Sequence, residues 1–460
     1  MKNDTIAAIS TPLGEGGIGI VRLSGPDAFD IGFKLFKCTK TDVEKNPEAR
    51  RLYHGYIKDE SGVKLDEVLV SFMPAPYTYT REDIVEINCH SGIFALRAIL
   101  SLVLDNGARL AEPGEYTKRA FLNGRIDMSQ AEAVIAVIRA RSEEAVKMAA
   151  RTLDGELSCR IKAIRERIIE ARAPIEASID YPEEFNEEDS PAESLPKVLE
   201  EIKEAIYFLL QGVERNRYYQ EGVSIAIIGR PNVGKSSLLN AILRQQRAIV
   251  HETPGTTRDL IEGYLNMGGY PIRLIDTAGI QGTGDPVELQ GIERSRKAAT
   301  QAKVLIMVFD GSDNWKDQDQ EIVNMKQAEQ GLVIVINKKD LKQKISPAIV
   351  ESVFPGKEII TTTAISGEGI KQLEEALMRQ LDLVFAPAVE NSIVYSLRHE
   401  EILKEALENI KKAAEIIKDQ PLELTSLELQ HAWQKLGEIT GDTLNENLLD
   451  RIFSEFCLGK

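Results

Sequence analysis

Gly229-Arg230-Pro231-Asn232-Val233-Gly234-Lys235-Ser236 follows the apolar run Val223–Ile228 and leads into Ser237–Leu243, so a strand, a glycine-rich turn and a helix are predicted in that order. Glycine at 229 and 234 lets the backbone curl until its N–H groups converge on phosphate oxygens, at the positive end of the following helix. In such a loop Lys235 reaches the β- and γ-phosphates, and the Ser236 hydroxyl holds Mg²⁺. Residues 217–384 around it alternate strand and helix, as a parallel sheet requires.

Four more stretches fit the same ligand. Gly255-Thr256-Thr257-Arg258-Asp259 offers a flexible loop with Thr257 for Mg²⁺ and the γ-phosphate. Leu274-Ile275-Asp276-Thr277-Ala278-Gly279 is a strand ending in an acid beside the metal and a glycine whose N–H senses the γ-phosphate. The run Gly331–Ile336 delivers Asn337-Lys338-Lys339-Asp340, and the Asp340 carboxylate accepts from the N1–H and 2-amino group of guanine. Adenine presents an acceptor at N1, so this acid repels it. Thr363-Ala364-Ile365 is expected to brace the base. Five elements in order, with Val233, Gly234 and Ser237 completing the loop's contacts, make residues 217–384 a Ras-like GTP-binding domain. One departure stands out: the position that carries a water-orienting glutamine in Ras-like proteins is Ile280. Gln281 and Glu288 are the nearest groups able to help.

At 460 residues the chain is too long for one core. Its 56 basic against 72 acidic residues give a net charge of −16, which argues against non-specific wrapping of nucleic acid. The start lacks the apolar core of a signal peptide, and no run approaches the ~20 apolar residues of a membrane span. A cytoplasmic protein is expected. Cys38, Cys89, Cys159 and Cys457 form no Cys-x-x-Cys pair, so neither a zinc site nor a disulfide framework is expected. Cys89 and His90 should point to opposite faces of a strand.

Gly14-x-Gly16-x-x-Gly19 formally matches a dinucleotide fingerprint, but an apolar stretch and no helix follows it. It reads as a loop between two strands. Through residue 120 short apolar runs (Val68–Phe72, Ile84–Asn88) alternate with helical segments (Pro26–Phe36, Ile93–Asn106), a small α+β domain. Helical spacing then takes over, with Ala131, Val134, Ile135 and Ile138, and again Leu157, Ile161, Ile164 and Ile168. An acidic loop at Tyr181–Asp189 interrupts, and a helix from Pro191 to about residue 216 follows. Leu403, Leu407, Ile410, Ala414 and Ile417 restore the pattern beyond Pro387. The expected architecture is multidomain α/β and α+β. It has an N-terminal α+β domain (1–120), a helical domain in two parts (121–216 and 385–460) and a G domain (217–384) inserted between them.

Asn232 in the turn, Gly255–Asp259, Ile280 in place of glutamine, Pro113–Asn123 and the tail Arg451–Lys460, ending Cys457-Leu458-Gly459-Lys460, together resemble the MnmE (TrmE) family of tRNA modification GTPases. The resemblance runs along essentially the whole chain. It implies a homodimer formed through the N-terminal domain, working with an MnmG-type FAD-binding protein in a heterotetramer or larger complex. The implied reaction adds an aminomethyl-type group to C5 of the wobble uridine of certain tRNAs. The one-carbon unit comes from a tetrahydrofolate derivative (5,10-methylene or 5-formyl), contacted at positions matching Arg22, Glu86, Arg125 and Lys460. Arg125 stands where several members have lysine. The resemblance also implies a K⁺ site at Asn232 and the loop carbonyls at His251, Thr253 and Thr256, and a water-orienting role for Glu288. A bound K⁺ at the β–γ bridge would do the work of an arginine finger, worth ~10³–10⁵ in rate, by stabilising developing charge. For Arg22 and Glu86 the residues alone read as an ion pair. Cys457 reads equally as a nucleophile and as a packing residue. The rival reading is a GTP-switched ribosome-assembly factor; it would be expected to carry a basic RNA-binding domain, and it gives the tail no purpose.

Overall fold

The structure is a computed structural model. It describes residues 4–39, 48–59, 61–181, 191–245, 263–275, 296–345, 347–385, 393–394, 396–417, 420–444 and 446–460. The chain divides into two compact units, Met1–Ile135 with Thr152–Glu187 and Gln420–Lys460, and Ala136–Arg151 with Glu188–Asp419.

In the first unit the chain runs β1 (Ile6–Ile9), β2 (Gly19–Ser24), α1 (Ala28–Leu35), β3 (Phe36–Cys38), β4 (Leu52–Lys58), β5 (Lys64–Met73), β6 (Ile84–Cys89), α2 (Ile93–Asp105) and β7 (Arg109–Leu110). The strands form one sheet in the order β3-β4-β5-β6-β2-β1-β7. The pair β1–β7 is parallel, and its other pairs are antiparallel. Period-two alternation decides its faces. Val21 and Leu23 are buried with Val85 and Ile87 under α1 and α2, while Arg22 and Glu86, the residues between them, take the other face. The Gly14–Gly19 fingerprint does join two antiparallel strands, and Cys89 is buried while His90 is exposed against Asp66. The unit continues through α3 (Glu115–Leu122), the start of α4 (Met128–Arg139), the end of α5 (Glu143–Leu153) and α6 (Glu156–Asp180).

The second unit holds α7 (Pro191–Leu210), α8 (Val213–Glu221), β8 (Val223–Ile228), α9 (Lys235–Gln245), β9 (Gly263–Met267), β10 (Tyr270–Ile275), β11 (Val304–Asp310), α10 (Asp317–Val323), β12 (Gly331–Asn337), α11 (Pro347–Val353), β13 (Ile359–Thr361), α12 (Ile370–Val384) and α13 (Leu397–Ile416). Its sheet has the order β13-β12-β11-β8-β10-β9, parallel except for β9 at one edge. Every residue of β8 and β11 is buried, because helices cover both faces and the strands can be apolar throughout. The first unit closes with α14 (Leu422–Thr440) and α15 (Glu446–Ser454). There α6 lies along α14, with Arg165 stacked on Trp433 and Arg172 bonded to Ser426.

Two helical expectations change in detail. The helix after Pro191 breaks at Gly212, whose φ of 76° ends α7, and α8 runs on to Glu221. On α13, Ala414 is exposed and Ala413 is the buried residue, so the apolar stripe turns one position earlier. The acidic stretch after Tyr181 lies outside the described residues.

Candidate functional site

The turn between β8 and α9 sits at the carboxyl end of the parallel sheet, where the chain leaves β8 towards β10 on one side and β11 lies on the other. That is the crevice in which α/β sheets bind ligands. Its two glycines are required for different reasons. A Cβ on Gly229 would lie 2.5 Å from the Val308 carbonyl of β11. Gly234 has φ +98°, and a Cβ there would lie 2.2 Å from Asn337 Nδ2. Asn232 also takes the left-handed conformation, at φ 61°. Lys235 opens α9, and its Nζ donates to the carbonyls of Gly229 and Arg230, each at 2.8 Å. Burial lowers its pKa, because desolvation disfavours the ammonium. Ser236 follows, half-buried, and Ser237 is exposed.

Asn337, at the end of β12, ties three segments together. Its Nδ2 donates to the Val233 carbonyl at 2.9 Å, and its Oδ1 accepts from Thr362 Oγ1 and Ala364 N–H at 3.1 Å each. It is 2% exposed, so all three bonds form out of water, where each counts most. The structure thereby brings Val233, Gly234, Asn337 and Ala364 together. Lys338, in the left-handed region at φ 63°, reaches back to Asp310 Oδ2 at 2.5 Å. Burial pushes the Asp310 carboxyl up, but Lys338 and Ser312 outweigh it and the pKa is lowered. Asp340 is exposed on the turn after β12, Thr363 is buried, and Ile365 is 88% exposed at the rim. His251, Thr253, Thr256, Thr257, Asp276, Thr277, Ala278, Gly279, Ile280, Gln281 and Glu288 lie outside the described residues.

The second set of expected residues is in the first unit. Arg22 and Glu86 are directly opposite on β2 and β6, and the guanidinium meets Glu86 Oε1 through Nε at 2.8 Å and Nη2 at 2.7 Å. Beside them the Tyr116 hydroxyl donates to the Arg22 carbonyl at 2.6 Å, and its ring lies 5.7 Å from the guanidinium carbon. Burial pushes the Tyr116 hydroxyl well above its ordinary pKa. Arg125 is exposed, stacks on Tyr79 at 4.7 Å and donates to the Tyr79 carbonyl. Tyr79 in turn bonds Thr117, so neighbouring residues of α3 connect with both arginines.

The tail docks on the same unit. Phe453 and Phe456 pack with Ala120, Ile126 and Met128. The Cys457 carbonyl accepts from Gly114 N–H at 3.3 Å. Gly459, at φ 86°, approaches so closely that a Cβ would lie 2.3 Å from the Ile9 carbonyl. Cys457 itself is exposed. Lys460 is half-buried, and its N–H turns back to the Cys457 carbonyl at 3.4 Å. Sequence reasoning missed Tyr116, Asp310 and Thr362. Only Tyr116 carried a signal, as an aromatic within the Pro113–Asn123 stretch.

Two family models match the chain: one described as the GTP-binding protein TrmE N-terminus over residues 5–125, and one described as the MnmE helical domain over residues 128–457. The tRNA modification GTPase MnmE of Bacillus subtilis (strain 168) is 44% identical, covering 99% of this chain and 100% of that protein. Its counterpart in Carboxydothermus hydrogenoformans (strain ATCC BAA-161 / DSM 6008 / Z-2901) is 47% identical, with 100% of both covered. Among solved structures, the G domain of the T. maritima FeoB iron transporter is 27% identical over 35% of this chain and 98% of that one, with a TM-score of 0.26. With identity of this level from end to end, and a family model spanning 128–457, the chain belongs to the MnmE (TrmE) family of tRNA modification GTPases.

Proposed function

We propose that this chain hydrolyses GTP to drive, with an FAD-binding partner, the addition of an aminomethyl-type group to C5 of the wobble uridine in certain tRNAs. The observation that carries the reading is Asn337, which joins the phosphate-binding turn to the segment that braces the base. A carboxamide is needed there because it donates and accepts at once. Asp340 then selects guanine. Lys235 meets the β- and γ-phosphates, and the hard oxygen donors fit the cations: the Ser236 hydroxyl, with Thr257, for Mg²⁺, and the Asn232 carboxamide, with the backbone carbonyls of His251, Thr253 and Thr256, for K⁺. The two ions supply positive charge at the phosphates. Glu288 orients water.

Arg22, Glu86, Arg125 and Lys460 form the proposed tetrahydrofolate set. A paired guanidinium and carboxylate on a partly exposed sheet face suit a ligand that carries both carboxylates and N–H donors. The docked tail places Cys457, a candidate nucleophile, on that same unit. The proposed boundaries remain 1–120, 121–216, 217–384 and 385–460, and a helical-domain match running on both sides of the G domain supports an interrupted helical domain. A homodimer in the cytoplasm, joined by an MnmG-type protein, completes the reading.

The test is GTP turnover of the purified protein in KCl and in NaCl, together with nucleoside mass spectrometry of tRNA from cells lacking the protein and cells given it back. Faster turnover in K⁺, lost in Asn232→Ala, and restored uridine modification are expected. Equal rates in the two salts reject the cation role, and unmodified tRNA after complementation rejects the reaction. Asp340→Asn should shift preference from GTP to XTP, since the amide donates to xanthine's 2-oxo group.

A further inference from the structure

Arg230 is the second residue of the phosphate-binding turn, yet its side chain runs into the protein beneath it. Nε donates to Asp319 Oδ1 at 2.7 Å, and Nη1 to Asp313 Oδ2 at 3.4 Å. The Arg230 side chain is 7% exposed and that of Asp319 0%. The other Asp319 oxygen accepts from Lys316 N–H at 3.0 Å and so caps α10. The carboxylate is thus held on both sides. A buried ion pair of this kind is weak evidence for stability, because desolvation offsets much of the attraction; its best-attested use is to specify one geometry. The geometry at stake is visible in the backbone of the same residue. The Arg230 carbonyl is one of the two that accept Lys235 Nζ. Arg230 Nη2 has no partner among the described residues, so Asp319 is the principal anchor.

We infer that Arg230 and Asp319 are a positioning pair, which holds the turn in its phosphate-binding shape by fixing the carbonyl that places Lys235. The inference rests on the nucleotide reading of this site and adds to it a residue that does not touch the ligand. The turn's backbone and Lys235 hold the phosphates in the ground state, so loosening it weakens nucleotide binding and raises both KM and the Kd for GDP.

The test uses the full-length protein carrying R230M together with D319N. The asparagine oxygen can still cap α10, no charge is left buried, and removing both partners of a buried pair is tolerated far better than removing one. The KM for GTP and the Kd for a fluorescent GDP analogue should rise at least tenfold, with the nucleotide-free melting temperature within a few degrees. Wild-type KM and Kd in this variant would overturn the inference and make the pair a stabilising contact only. R230K guards against misfolding of the double variant: it keeps the charge but not the fork, and KM should rise with an unchanged melting temperature. An unchanged KM in R230K would also overturn the inference. Failure of the parent protein to bind guanine nucleotide would instead remove the reading beneath it.

Discussion

The two sheets hold their polar groups in contrasting ways. Around the seven-stranded sheet, charged side chains on α3, on β7 and in the segments flanking the strands bond one another. Arg119 meets Asp4, Glu82 and Glu115, and Arg109 meets Asp4 and Glu115. In the six-stranded sheet the main site contacts run between side chains and backbone: Lys235 to two carbonyls, and Asn337 to Val233 and Ala364. A backbone-held site demands particular residue types at fixed spacings, because the backbone positions repeat from one such turn to the next. A side-chain network demands only that its members meet, and Asp4 and Arg119 are 115 positions apart. The first kind of site is written in short motifs and the second is not.

That contrast can be tested by breaking each side of it. Arg119 is buried among three carboxylates, and although Arg109 still meets Asp4 and Glu115, Arg119→Met takes the guanidinium from Glu82 and part of the counter-charge from the other two, which should cost about 3 kcal/mol. Urea unfolding measures the loss, while guanine-nucleotide affinity should stay at the parent value. A loss below about 1 kcal/mol would mean that the network behaves as a solvated surface. On the other side, Gly234→Ala forces a Cβ against Asn337 Nδ2 at a positive φ. Nucleotide affinity should fall about 100-fold, near 2.7 kcal/mol, with the first unit's unfolding unaffected. Retained affinity would show that Asn337 can move aside and is not the hub of the site.

The network should also show in the pH dependence of stability. Burial raises the pKa of Asp4 and of Glu115, but bonds to Arg109 and Arg119 outweigh it, and both end below their ordinary values of 3.8 and 4.5. A carboxyl with a lowered folded pKa contributes stability that is fully present above its unfolded pKa and lost as pH falls through the folded one. The first unit should therefore weaken as pH drops from the ordinary carboxylate range downwards. Arg119→Met should flatten that slope, and an unchanged slope would place the acid sensitivity elsewhere.

The same contrast explains what could be read in advance. The strands β8 and β12 were legible because central parallel strands are continuous apolar runs bounded by glycine and polar turns. The face shared by Arg22 and Glu86 follows from alternation, and their pairing from register. Arg230 and Asp319 are 89 positions apart, and no local spacing links them. The break at Gly212 was hidden because both flanking segments favour helix. A glycine there reads as a tolerated interruption until its φ is known. The tail was legible only through resemblance. A tetrapeptide that docks by backbone shape leaves no period to count.

The smallest expected effect on stability concerns that tail, where the two kinds of contact meet. Gly459 is held by backbone geometry, with φ 86° and the Ile9 carbonyl 2.3 Å from where a Cβ would stand, yet it belongs to the unit whose charges form the side-chain network. Gly459→Ala should cost about 1–2 kcal/mol of local strain. Most of that should be relieved by the last residues lifting from β1, so global unfolding should barely shift. Lifting releases the bond from Gly114 N–H to the Cys457 carbonyl, so hydrogen exchange at Gly114 should quicken. The tail and the turn after β8 belong to different units, so GTP turnover by the isolated protein should stay within about twofold of the parent, as it should after deletion of Cys457–Lys460. Wobble-uridine modification, read by nucleoside mass spectrometry, should fall in Gly459→Ala and fail in the deletion. If Gly114 exchange quickens while modification stays normal, docking of the tail is a packing feature with no part in the chemistry. If GTP turnover falls with it, the tail and the nucleotide site are coupled, and the separation drawn between the two sheets is too sharp.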